Sequence, residues 1–209
     1  MKRGCFITFE GVEGCGKSTQ LALLKDYLES RGCSVDVTRE PGGTPIAEAI
    51  RGVLLDPVHR EMTSVTELLL YAAARAQHVA ERIRPALDAG KVVLCDRFAD
   101  STTAYQGAGR ALSPETIAAL HRIATGGVWP DLTIVLDIDP EEGLKRAMAR
   151  RGLDRIENES IEFHRRVREG FLALSRSEPE RVVPIDGARG VDAVAADVRR
   201  LAEERIPLA

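Results

Sequence analysis

Five short apolar runs punctuate the chain: Cys5–Phe9, Ser34–Thr38, Val92–Cys95, Leu132–Leu136 and Val182–Ile185. Each is enriched in β-branched residues, and none reads as an apolar-charged alternation. That is the pattern of parallel strands covered by helices on both faces. The stretches between them carry helical periodicity. Leu21, Leu24 and Leu28 share one face of the segment after Lys17. Thr44-Pro45 predicts a cap and first turn for a helix over Ile46–Leu55, and Ser113-Pro114-Glu115 repeats the signal. Asp139-Pro140-Glu141-Glu142 predicts a third start, with Glu142 bonding back to the cap. The last helix is predicted to begin near Asp192, with Val194, Val198 and Leu201 on one face. The long pattern Thr66–Ala89 contains Arg84-Pro85, where a kink or break is expected.

Alternating strands and helices predict an α/β fold, a doubly wound five-stranded parallel sheet flanked by helices. Ligands in such sheets sit at the carboxyl ends of the strands. No repeat, low-complexity tract or linker interrupts residues 1–209, so one domain is expected.

Composition narrows the class. A net charge of −3 argues against nucleic-acid and membrane-surface partners. The four cysteines, Cys5, Cys15, Cys33 and Cys95, form no Cys-x-x-Cys pair, which fits free thiols in a reducing cytoplasm. The apolar run after Met1-Lys2-Arg3 is too short for a signal peptide or a membrane span. His59, His78, His121 and His164 stand apart from any nucleophile motif and are read as packing residues.

The strongest chemical signal is Gly11-Val12-Glu13-Gly14-Cys15-Gly16-Lys17-Ser18, placed between the first strand and the first helix. Glycines let successive N–H groups point at a phosphate, Lys17 adds a mobile cation, and Ser18 offers a hydroxyl to Mg²⁺. With Thr19 in the first helical turn, these residues are the expected contacts of ATP. A glycine turn beside a surface lysine is the competing reading. Asp96-Arg97 closes the third apolar run, where an acid and a base suggest a metal-phosphate site rather than a structural ion pair. Arg39-Glu40-Pro41-Gly42-Gly43-Thr44 ends another strand in a glycine turn, which a plain strand-to-helix loop would also explain. Arg146 with Arg150, and Arg151 with Arg155, are spaced i,i+4. Like charges so placed repel, so the cluster suggests an anion rather than a solvated face, although Glu142 can pair with Arg146.

Phe9-Glu10-Gly11, the phosphate loop, Thr38 to Thr44, Asp96-Arg97, Ser101 to Gly107 and Asp154-Arg155-Ile156-Glu157 occur in the order and rough spacing of thymidylate kinases, which the chain resembles over nearly its whole length. The resemblance implies a fold like that of the phosphate-loop nucleoside monophosphate kinases and phosphoryl transfer from ATP to deoxythymidine monophosphate (dTMP). It implies an acceptor phosphate on Arg97 with Arg39 close by, and Glu10 near the acceptor sugar. Tyr71 would stack on thymine, where many relatives carry Phe, and Arg75 would bond an exocyclic oxygen. Thr102 and Tyr105 would contact the base and sense the missing 2′-hydroxyl, with Gln106 supporting them. Because the phosphate loop holds no arginine, the chain resembles the branch that supplies one from a mobile lid, here the segment 146–157, with Arg150, Arg151 and Arg155 as candidates. A homodimer is implied as well, through helix faces around Ala72–Ala80 and Thr116–Ile123.

The acceptor is already anionic near neutral pH, its second pKa lying near 6, so no general base is required. Catalysis then rests on positioning and cations: Lys17 on the β/γ-phosphates, Ser18 on Mg²⁺, Asp96 as an outer partner of the metal, and arginines on the transferred oxygens. Another nucleotide or nucleoside kinase is the near alternative, which Arg97 and Arg39 narrow to phosphorylated acceptors. A GTP-binding switch would need an Asn/Thr-Lys-x-Asp motif, which the chain lacks. A transporter or DNA-remodelling ATPase would need added signature segments.

Overall fold

The computed structural model describes residues 3–149 and 154–206. Its strands are β1 (Phe6–Glu10), β2 (Val35–Arg39), β3 (Val92–Asp96), β4 (Leu132–Asp137) and β5 (Val182–Asp186). They form the one parallel sheet that the apolar runs predict, and its strand order is β2-β3-β1-β4-β5. Every strand extends one residue further toward its carboxyl end than the apolar run. Hydrogen bonding continues past the last hydrophobic residue and carries Glu10, Arg39, Asp96, Asp137 and Asp186 to the same edge. Register places Phe9 and Arg39 on either side of Asp96.

Burial on both faces holds for β1 and β3 and for most of β4, while β2 and β5 are half-exposed edge strands. In β2, Asp36 does alternate with Val35 and Val37, and Arg82 pairs with it at 2.8 Å. Within the central strands, successive side chains part to opposite faces. Ile7, Phe9, Val92 and Leu94 join the cluster of Leu21, Leu24, Leu28, Val194 and Val198. Phe6, Val93 and Cys95 join that of Val79, Ile83, Leu87 and Phe98.

The first helix, α1 (Lys17–Ser30), leaves the phosphate loop directly. It is followed by α2 (Pro45–Leu55), α3 (Ser64–His78), a π-helical turn over Val79–Ile83 and α4 (Arg84–Asp88). Pro85 therefore neither breaks nor ends the long helical pattern. The wider turn before it shifts the bonding register, so that Arg84 N–H meets the Val79 carbonyl across the missing proline donor. A short α5 (Ala99–Thr102) runs into a second π-helical segment, Thr103–Gly109, and then α6 (Pro114–Thr125). The remaining helices are α7 (Pro140–Met148), α8 (Ile161–Ser177) and α9 (Val191–Arg205). Ser113 and Asp139 cap α6 and α7 as expected. Thr44 occupies the cap position of α2 without bonding to it, and Glu142 turns to Arg146 at 3.0 Å instead of closing a capping box. No described helix is long and apolar enough to cross a membrane.

Candidate active site

The loop between β1 and α1 is shaped by its glycines. Gly14 has φ +66°, and a Cβ there would lie 2.1 Å from the Gly143 carbonyl of α7, so loop and helix touch backbone to backbone. Lys17 Nζ turns back into the loop, donating to the carbonyls of Val12 at 2.9 Å and Gly11 at 3.2 Å, with Cys15 Sγ at 3.4 Å. Ser18 and Thr19 are exposed at the first turn of α1, and Ser18 Oγ donates to Asp96 Oδ2 at 3.2 Å. This hydroxyl and carboxylate form an all-oxygen pair beside the anion-binding loop. No cluster of three or more metal-binding side chains exists among the described residues. Such a donor set fits Mg²⁺, which keeps waters and takes phosphate oxygens rather than sitting in a protein cage.

Arg97 follows Asp96 in the left-handed region, φ 72°, a conformation that costs a non-glycine residue of order 1–3 kcal/mol. Glu10 holds that turn. Its carboxylate accepts from Phe98 N–H at 2.7 Å and Ser101 Oγ at 2.5 Å. Burial, aided by the Asp100 charge, lifts the Glu10 carboxyl to about 7 against the pull of Arg97 and those hydrogen bonds. Glu10 thus lies beneath the cavity and does not line it, unlike the sugar contact expected of it. The reason is strand parity: its side chain points with Thr8 toward the Asp100–Ser101 turn.

The Arg97 guanidinium donates to the Gly11 carbonyl at 2.9 Å and to Glu13 Oε1 at 3.0 Å, and sits 5.0 Å over the Tyr105 ring. Burial disfavours its charge, but Tyr105, Glu13 and Asp96 hold the guanidinium firmly protonated. Tyr105 donates to the same Glu13 oxygen at 2.6 Å. Burial would raise the Glu13 carboxyl, yet His164, Arg97, Lys17 and Tyr105 together hold it well below the usual carboxylate range. Burial pushes the Tyr105 and Tyr71 phenols up.

Between these groups opens a cavity of about 420 Å³. Gly14, Lys17 and Ser18 line it together with Arg97 and with Tyr71, Arg75, Thr102 and Gln106. Tyr105 and Gln106 belong to the second π-helical segment, a device often found at functional sites. Arg75 is buried. It donates to Glu40 Oε2 at 2.8 Å, Thr102 Oγ1 at 3.0 Å and the Phe98 carbonyl at 2.9 Å. The Thr102 hydroxyl is thus engaged by Arg75. Arg39 lines the cavity from an exposed position, with both Glu48 oxygens at 3.0 Å.

Three buried groups escaped the sequence reading as site supports. Glu40 holds both Arg75 and His78, the latter at 3.0 Å. Glu67 gathers Gln106 at 2.8 Å, Arg110 at 3.0 Å and Arg155 at 2.7 Å. His164 faces Glu13. A signal for Glu67 existed: Glu67, Tyr71 and Arg75 recur every four residues on one helix face.

The arginine cluster resolves differently from expectation where it is described. Arg146 pairs with Glu142. Arg155, expected at the ATP phosphates, is buried instead, its Nε on the Leu54 carbonyl at 2.8 Å and its Nη1 on Glu67. The Asp154 carboxylate, accepting from Ile156 and Glu157 N–H, turns the chain so that Arg155 faces inward. Arg150 and Arg151 lie outside the described residues.

Comparison with known proteins agrees with this architecture. The family model described as thymidylate kinase matches residues 9–198. The chain is 58% identical over 211 residues to the thymidylate kinase of Geotalea uraniireducens, covering 96% of this chain and 99% of that relative. It is 54% identical over 202 residues to that of Symbiobacterium thermophilum, covering 97% and 94%. The crystal structure of thymidylate kinase from Ehrlichia chaffeensis matches with a TM-score of 0.79 at 34% identity, covering 96% of this chain and 99% of that one.

Proposed function

We infer how the cavity works from one premise: the chain belongs to the thymidylate kinase family. It transfers the γ-phosphoryl group of ATP to dTMP, giving ADP and the diphosphate. The division of labour within the cavity is our proposal. The observation that carries it is that Arg97, bonded to Gly11 and Glu13 of the phosphate loop, lines one cavity with Lys17, Ser18, Tyr71, Arg75, Thr102 and Gln106.

The backbone of residues 11–18, with Thr19, cradles the ATP phosphates, and Lys17 leaves its loop carbonyls to meet the β/γ-oxygens. Ser18 and Asp96 hold Mg²⁺, which, when bound, supplies Lewis-acid neutralisation of phosphate charge. The acceptor phosphate lies on Arg97, and Arg39 swings toward it from Glu48. Thymine stacks on Tyr71 with its edge toward Arg75 and Thr102. Tyr105, fixed by Glu13 and supported by its neighbour Gln106, closes the sugar end against a 2′-hydroxyl. Glu10 acts from below, holding the Arg97 turn. Arg150 and Arg151 supply the cation for the transition state. Two facts support this: the phosphate loop has no arginine, and Arg146 and Arg155 are each engaged by a carboxylate.

A homodimer fits the surface. Val65 and Leu69 on α3, Ile46 and Val53 on α2, and Ile123 on α6 are exposed apolar side chains on neighbouring helices. The free cysteines fit a cytoplasmic setting.

A coupled assay of ATP against deoxy- and ribonucleoside monophosphates, run on wild type and Arg97→Ala, tests the assignment. The variant should show a raised acceptor KM and a lowered kcat, with ATP KM nearly unchanged. Loss of ATP affinity with acceptor affinity retained would put Arg97 on the other substrate.

A further inference from the structure

His164 on α8 is fully buried, and among the described residues neither ring nitrogen has a hydrogen-bond partner. A buried imidazole left so is rare, because it forfeits its hydration without return. Its Nδ1 lies 3.4 Å from Glu13 Oε2, which is itself buried and has no hydrogen-bond partner among the described residues. The other Glu13 oxygen is the one that receives Arg97 and Tyr105. Edge-on contact with Phe163, centroids 5.3 Å apart, holds the imidazole ring in place.

We propose that His164 is a positioning residue for the acceptor phosphate: it closes an Nδ1–H···Oε2 hydrogen bond that orients Glu13, and through Glu13 the guanidinium of Arg97. The tautomer with its proton on Nδ1 satisfies the carboxylate and leaves only a lone pair at buried Nε2. The alternative tautomer would bury an unpaired N–H and turn a lone pair toward Oε2, at greater cost. Without the imidazole, Glu13 has one oxygen bound by two donors and the other by none, so its carboxylate is free to rotate. Arg97 would then lose the fixed direction in which it meets a phosphate. The inference rests on the assignment of Arg97 to the acceptor.

The test combines kinetics with a spectroscopic readout. His164→Leu removes the donor, whereas His164→Asn keeps an N–H near the Nδ1 position. With ATP and dTMP as substrates, His164→Leu should raise acceptor KM about tenfold, the worth of one hydrogen bond to a charged group, and leave ATP KM unchanged. His164→Asn should recover most of that loss. In a Glu13→Ala background, His164→Leu should add little, because no acceptor is left for the imidazole. Nitrogen NMR of histidine-labelled enzyme should find His164 protonated at Nδ1, with its signals displaced by Glu13→Gln; this reading stands even if the leucine variant fails to fold. An Nε2-protonated ring, or a folded His164→Leu enzyme with wild-type acceptor KM, overturns the proposal. Arg97→Ala assayed alongside separates the two failures: if it strikes ATP rather than the acceptor, the assignment of Arg97 has failed, whatever His164 does.

Discussion

Ser18 Oγ donates to Asp96 Oδ2 across 3.2 Å, joining the first turn of α1 to the end of β3. Both oxygens face the cavity, and they form the donor set that fits Mg²⁺. Asp96→Asn and Ser18→Ala should each raise the Mg²⁺ concentration for half-maximal rate by roughly ten- to a hundredfold, the usual effect of weakening a metal's support. A metal titration of the steady-state rate checks this. An unchanged midpoint in both variants would move the ion elsewhere.

Lys17→Met should lower kcat by at least about 10²-fold, the scale of one lost electrostatic stabiliser. Its present partners are the neutral carbonyls of Gly11 and Val12, so stability should change by only about 1 kcal/mol. Turnover and a thermal melt on the same preparation separate the two effects. Near-normal turnover rules out the phosphate-loop role.

Glu67 is the hub for Arg110, Arg155 and Gln106, and it lies buried beneath the cavity. Burial would raise its carboxyl, but Arg110, Gln106 and Arg155 hold it low. Glu67→Leu takes the carboxylate from Arg155, while Arg110 keeps Glu159 at 2.7 Å, and should cost about 3–5 kcal/mol in urea unfolding, the range for a broken buried pair. Glu67→Gln should cost less, since it keeps one acceptor oxygen. Equal stabilities for all three proteins would contradict the contacts described.

Burial lifts Glu10 from its ordinary 4.5 to about 7, so the folded protein holds this proton more tightly than the unfolded chain. Its stabilising contribution is complete below pH 4.5 and is lost as pH rises toward and through about 7. Glu13, Glu48 and Glu67 are shifted downward, so their contributions disappear only on acidification below their ordinary value. His121, lowered by burial from 6.5 to about 4, acts in the opposite sense to Glu10 over part of the range. The informative quantity is therefore the difference between wild type and Glu10→Gln. Between pH 5 and 8 the wild-type Tm should fall relative to the variant, with each pKa unit worth roughly 1.4 kcal/mol. Parallel curves would mean Glu10 keeps its charge throughout.

Arg150→Ala with Arg151→Ala should lower kcat by about 10²-fold or more with little change in either KM, the mark of an interaction made only in the transition state. The single variants belong beside the double one, because neighbours acting together are not additive. Wild-type kcat in the double variant would assign the catalytic cation to another residue.

Most of the scaffold was legible in the sequence because it follows from local chemistry. β-branched runs mark β1 to β5, leucines spaced three and four apart mark α1, and Ser113 and Asp139 mark helix starts. The phosphate loop is contiguous, so its glycines, Lys17 and Ser18 declare an anion site without any knowledge of what lies across from them. The pair Tyr71 and Arg75 was legible for the same reason, since spacing four fixes one helix face.

A pair within one helix, Glu142 with Arg146, was legible, but tertiary structure alone decided the partners of charges that meet across the fold. Arg155 reads as a free cation until Glu67 arrives from α3, and His164 reads as packing until Glu13 arrives from the phosphate loop. Glu10 sits one residue from a core phenylalanine and one from a loop glycine. Only the sheet's parity against the Phe98–Ser101 turn places its carboxylate under the cavity rather than in it. Local pattern carries backbone conformation and facing direction. The free energy of a buried charge depends instead on which remote groups converge on it, and that convergence exists only in the folded chain.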